Sequence, residues 1–223
     1  MVAEKKLNKE QNPKFQEGDK KAAAFARILR EQFGDVPLPT VEVRGETKRF
    51  SPEVRKALEK EGYLIYTLTG QSIKSLREAG RKFSSTWHKG YPDFEALTSR
   101  LSEVAIDPNK LFLPDSNNKT LVEQEKMVEE FSQKLSKKVE GVEAIIGEAP
   151  DYVELAFVHL DATGEYLFGK KYNFDYARTK TQAGGPCVVR VGYFRPDYGL
   201  YVSFWDRVHG YGNVWAASLV VPA

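Results

Sequence analysis

Three histidines and one cysteine are the side chains of this 223-residue chain best suited to metal binding or nucleophilic catalysis, and their spacing favours neither. His88, His159 and His209 stand far apart in the sequence, and none has a second His or Cys at the separation a zinc site uses. His159 falls in an apolar helical stretch and reads as a core residue. Cys187 follows Gly184-Gly185-Pro186 at a strand start with no nearby His to take its proton, so it reads as a buried structural thiol. Asp161 and Glu165 are four apart at a helix end, a spacing common on solvated helix faces. There is no glycine-rich phosphate loop of the expected form. No enzymatic activity, catalytic residue, metal or cofactor is therefore expected. Lys170-Lys171, followed by Tyr172, Phe174, Tyr176 and Arg178, interleaves base with aromatic rings. That pattern suits stacking on nucleic-acid bases, or a loop that anchors its rings in a core.

The sharpest signal is one of composition. From Val188 to Trp215, 28 residues, there is no Lys, Glu, Gln or Met, although the chain upstream is rich in charged residues. The window instead holds eight aromatics: Tyr193, Phe194, Tyr198, Tyr201, Phe204, Trp205, Tyr211 and Trp215. Lys and Glu are the ordinary solvating residues of a surface. A surface that replaces them with Tyr, Phe, Arg, His, Ser and Asp looks like a binding face, because Tyr offers a large rigid area with a polar tip at low entropic cost. The other reading of the window is a β-rich core.

The elements that must carry this window follow from periodicity and punctuation. Residues 1–20 read as a disordered charged tail. Residues 21–100 read as a helical or α/β extension. It has a helix over Lys21–Phe33 and a break at Val36-Pro-Leu-Pro39. A second helix starts at Ser51-Pro52-Glu53 and runs to Gly62, followed by a strand at Leu64–Leu68 and a short helix at Ser72–Ala79. Residues 101–223 read as one α+β domain. It begins with a strand at Val104–Ile106, an amphipathic helix at Thr120–Lys138 and an apolar stretch at Val142–Ile146. A helix opened by Pro150-Asp151 comes next, apolar nearly all round and so suited to a core. Strands follow at Ala177–Thr181, Val188–Phe194, Leu200–Trp205 and Val214–Val221, separated by Gly- and Pro-bearing turns.

The net charge of +2 and pI of 8.4 are weak support for nucleic acid, and one cysteine fits a reducing compartment without a disulfide framework. No run is long and apolar enough for a membrane span. The polar N-terminus lacks the apolar stretch of a secretory signal, which gives a cytoplasmic expectation and leaves surface display by another route open.

The order of strand, amphipathic helix, apolar helix, "GEYLFGKKYNFDYARTKT" and terminal strands ending in "VWAASLVVPA" resembles the variable proteins of diversity-generating retroelements. The likeness covers roughly Leu101 to Ala223. It implies a C-type-lectin-like fold with two helices and a mostly antiparallel sheet, whose variable region here is 188–215. In that family a reverse transcriptase copies a template with errors at adenines, and the copy replaces the end of the gene. An asparagine codon mutated at its adenines yields Tyr, His, Asp, Ser, Arg, Phe, Gly or Val, but never Lys, Glu, Gln, Met or Trp. These five include all four residue types missing from the window.

The resemblance implies diversified, outward ligand-binding positions at Tyr193, Arg195, Tyr198, Tyr201, Ser203, Phe204, Asp206, His209 and Tyr211, with Arg207 and Asn213 as further candidates. Gly192, Gly199, Leu200, Val202, Trp205, Val214 and Trp215 would hold the backbone. Alternation along the strand puts Leu200 and Val202 on one face and Tyr201 and Ser203 on the other, so an outward Phe204 needs a bulge or strand end. Calcium signatures of sugar-binding lectins are absent at Arg195-Pro196-Asp197 and Trp205-Asp206-Arg207. One cysteine also departs from the reactive pair of the related sulfatase-activating oxidases. The expected function is a ligand-binding display protein for an unknown protein or other macromolecule. The alternatives are a nucleic-acid-binding module, and an enzyme with a pocket at Asp206, Arg207 and His209.

Overall fold

Capping chemistry sets where the helices begin. Ser51 accepts a hydrogen bond from the Val54 N–H at 3.3 Å and Pro52 opens α1 (Pro52–Lys60), which ends before Gly62 at φ +89°. Ser72 and Ser75 form a reciprocal cap on α2 (Ile73–Glu78); a 3-10 turn (Trp87–Gly90) and α3 (Pro92–Ala96) follow. Thr120 and Glu123 cap α4 (Leu121–Ser136) in the same way. The Asp151 carboxylate accepts from the Glu148 N–H at 2.7 Å at the head of α5 (Ala149–Thr163), and Gly164 closes it in the left-handed conformation. The computed structural model describes residues 48–84, 87–169 and 174–223. The expected tail at 1–20, the helix at Lys21–Phe33, the break at 36–39 and the run 170–172 lie outside the described residues.

The strands form two four-stranded sheets, giving an α+β architecture. The first has β1 (Leu64–Thr67) at its edge, then β2 (Glu103–Ile106), β8 (Leu219–Pro222) and β3 (Val142–Ile145), all antiparallel. The second runs β6 (Gly199–Asp206), β5 (Cys187–Arg195), β4 (Tyr176–Gly184) and β7 (Val214–Trp215). β4 and β7 pair in parallel, Tyr176 opposite Val214 and Ala177 opposite Trp215, and Phe83 makes an isolated parallel bridge to Leu200 of β6.

Period-two alternation assigns each face. In the first sheet Tyr66, Val104, Ile106, Leu219 and Val221 face the core around α5, while Ala105, Val142, Ala144 and Val220 face α1 and α4 through Leu58, Leu121, Val128 and Leu135. The α5 core is continuous with Val189, Val191 and Val202 of the second sheet. Tyr66, Ile73 and Phe94, from the segment expected as an extension, pack into that same core. As its all-round apolar pattern predicts, α5 is buried along most of its length. Its Glu154 carboxylate accepts from the N–H groups of Thr69, Gly70 and Gln71 at 2.6, 3.0 and 2.9 Å, tying the end of β1 to the helix. The single strand expected at Val214–Val221 is corrected: it is two strands, β7 and β8, in different sheets. The chain crosses between them at Ala216–Ser218, where the Leu113 N–H bonds the Ala216 carbonyl at 2.9 Å.

Candidate binding surface

Cross-strand register decides which side chains of the Val188–Trp215 window share a face. Arg190 lies opposite Ser203, Gly192 opposite Tyr201 and Val188 opposite Trp205; the alternate pairs Val189–Phe204 and Val191–Val202 point the other way. Arg178 and Tyr176 of β4 sit opposite Arg190 and Gly192 and extend the first face. Phe204 is therefore buried, 8% exposed, against Cys187 and Ala183. β6 has no bulge that turns it outward; the register break in this hairpin lies between Gly192 and Arg195. Trp205, expected as scaffold, stands on the outward face with Tyr201.

On that face the rings and one cation form a chain of contacts. Tyr211 packs on Trp205 at 4.4 Å between centroids. The Arg190 guanidinium lies 5.3 Å from the Trp205 ring and 4.3 Å from the Tyr176 ring. Tyr176 meets Tyr201 edge-on at 5.9 Å. A second cluster caps the hairpin: Phe174 stacks on Tyr193 at 4.6 Å, Tyr193 on Tyr198 at 6.5 Å, and Arg195 covers Tyr193 at 5.8 Å. Tyr193 and Phe174 both have positive φ, 47° and 66°, a strained setting for aromatic residues that the bulge and the stacking hold in place. Phe174, Tyr198 and Tyr211 are 50, 38 and 44% exposed.

The loop after β6 is fastened by its main chain. Arg178 is fully buried, and its guanidinium donates to the carbonyls of Asp206 (3.0 Å), Arg207 (3.3 Å), His209 (3.0 Å) and, from the facing loop, Lys119 (3.2 Å). Burial pushes its pKa down to about 10. The Leu121 N–H bonds the Arg207 carbonyl at 2.8 Å, the Asn118 N–H bonds the Tyr211 carbonyl at 3.1 Å, and Asn117 Nδ2 bonds the Gly212 carbonyl at 3.0 Å. Gly210 allows this approach, since a Cβ there would lie 2.3 Å from the Asn118 backbone. Gly199, at φ +84°, likewise leaves room for the Lys82 carbonyl, which accepts from the Leu200 N–H at 2.9 Å. Arg207, His209 and Tyr211 project from this loop exposed. Asp206 accepts from the Val208 N–H at 2.7 Å and pairs with His209 at 3.1 Å; against the raising effect of burial, these contacts hold its carboxyl below the usual range.

Ten of the eleven residues expected to bind ligand thus lie at the hairpin, the outward face or its loop. Ser203 is buried beneath its neighbours and Asn213 is half-buried. Phe204 alone lies on the opposite face. Phe174, Tyr176, Arg190 and Trp205 complete the surface and were not among the expected residues. Arg190, one charge amid Val188, Val189 and Val191, is the member whose sequence signal was strongest.

The other chemistry-bearing residues lie away from this surface's ring contacts and have their own partners or burial within the fold. His159 is buried and bonds the Tyr66 hydroxyl at 2.6 Å, with its pKa lowered by burial. Cys187 is buried, its thiol pushed up to about 11 by burial and then by Asp206. His88 bonds Glu95 at 2.6 Å, and Asp161 pairs with Arg81. Arg178, offered by its sequence setting to nucleic acid, is engaged with carbonyls instead. Neither a family model, nor a curated protein, nor a solved structure matches this chain. No helix among the described residues is long and apolar enough to cross a membrane.

Proposed function

We propose that the chain is a ligand-binding display protein, a variable protein of a diversity-generating retroelement on a C-type-lectin-like scaffold. One observation carries the reading: the loop that bears Arg207, His209 and Tyr211 is fastened through carbonyls and N–H groups. Main-chain fastening is indifferent to side-chain identity, so residues there can change without altering the backbone that presents them. Composition agrees, since the window lacks the residue types that adenine errors in an asparagine codon cannot supply, apart from Trp205 and Trp215 as fixed positions. The surface is broad and aromatic rather than a closed cleft, which suits a macromolecular partner. Binding alone is its mechanism. Exposed Tyr198 and Tyr211, with half-buried Tyr193 and Tyr201, provide contact area, while Arg195, Asp206 and His209 orient the partner.

Sequencing the gene end and its flanking DNA across the source population tests this. We expect substitutions at the codons of Tyr193, Arg195, Tyr198, Tyr201, Asp206, Arg207, His209 and Tyr211, matched to adenines in a nearby near-copy, with Phe204 and Trp205 constant. Invariance at Tyr201, His209 and Tyr211 with no second copy nearby would overturn the reading.

A further inference from the structure

Two guanidinium groups face each other across β4 and β5, Arg178 opposite Arg190; both Nη groups of Arg178 are bonded and only its Nε lacks a partner among the described residues. Arg178 has its carbonyls. Arg190 has aromatic rings on its faces, Tyr176 and Trp205, but its Nε and Nη1 are enclosed with no hydrogen-bond partner among the described residues. Rings satisfy the faces of a guanidinium; its N–H groups point outward in the plane and need acceptors. Trp205 Nε1, on the ring beside the guanidinium, is a further enclosed donor without a partner. Burial lowers the Arg190 pKa, and the groups that act against it are the phenols of Tyr176, Tyr201 and Tyr211, none of them a carboxylate. Like charges paired across strands, with donors left over, describe a site that lacks an anion.

We propose that Arg190 and Trp205 form the floor of a carboxylate-binding site, and that Tyr211 is its cover. A carboxylate fits better than a phosphate. Its two coplanar oxygens match in-plane N–H donors, and a single Arg is available because Arg178 is committed to carbonyls. Tyr211 rests on Trp205 while 44% exposed, and its backbone is held independently of its ring. Rotation of that ring off Trp205 opens the way to Arg190 without moving the loop. Assigning the carboxylate to an Asp or Glu side chain of a protein ligand rests on the display reading; the site itself does not.

The test is a titration of the full chain, ¹⁵N-labelled, with sodium acetate replacing chloride at constant ionic strength, and a parallel one with inorganic phosphate. The Arg190 Nε–H and Trp205 indole N–H resonances report. We expect saturating shifts of both with acetate, binding at least tenfold weaker in R190K, which keeps the charge but loses the planar fork, and several-fold tighter in Y211A. Absence of saturation in the unaltered protein, or equal binding by R190K, overturns the site. Saturation by phosphate and not by acetate overturns the carboxylate assignment. An invariant gene end would sink the display reading and leave the acetate result standing.

Discussion

Phe204 and Tyr211 are both aromatic residues of the window, yet truncating them has different consequences. Phe204 is packed against Cys187 and Ala183 on the inner side of β6, so Phe204→Ala should cost about 3 kcal/mol or more by denaturant unfolding. Tyr211→Ala and Tyr198→Ala remove half-exposed rings and should shift stability by less than about 1 kcal/mol while abolishing ligand capture. Strand alternation made the Phe204 placement legible beforehand; the codon argument pulled it outward, and the uninterrupted ladder opposite Val189 decides for alternation. Trp205 shows the opposite case. Under the proposed codon rule its type makes it a fixed residue, but type says nothing about which face it occupies. Arg190 stood out as a lone charge in an apolar strand, but that signature is the same whether the charge is solvated or stacked between rings.

Elements carry two further expectations. At the head of α5, Asp151 is buried with its carboxyl raised to about 6, mainly by burial and also by the charges of Glu148 and Glu154, against hydrogen bonds from Ser99 and the Glu148 N–H. The folded carboxyl thus holds its proton more tightly than the unfolded one. Its stabilising contribution is complete below the ordinary value of 3.8 and is lost as pH rises through about 6. Relative to Asp151→Asn, the unfolding free energy of the unaltered protein should fall on the order of 3 kcal/mol over that interval, measured by urea titration at each pH. In β4, Arg178→Met strands four carbonyls and should cost about 3–5 kcal/mol, with faster amide exchange at 206–213 and little change around α5. Helix starts were readable because caps are local chemistry, as Ser51, Ser72 and Thr120 show. The division of Val214–Val221 was not, since Ala216 and Ala217 continue the apolar run and only pairing with distant segments reveals the crossing.

Across the whole molecule, the α+β class was legible from the order of patterns, whereas the two-sheet arrangement was not. It depends on β1 joining β2 and on β8 returning to lie between β2 and β3, pairings that reach from Thr67–Glu103, 36 positions apart, to Ala105–Val220, 115 apart. Deleting residues 219–223 should leave an insoluble or unfolded chain by circular dichroism, because β2 and β3 then lose the strand that joins them. This position of β8 bears on how errors in the window would be filtered. β8 is translated after the window yet completes a sheet that lies outside it. A substitution in the window leaves β8 intact; an insertion, deletion or stop that breaks the reading frame erases it. If the window is rewritten as proposed, folding acts as a parity check on each copy, discarding frame-broken chains before any partner is met and leaving in-frame changes at the outward positions to be judged by what they bind.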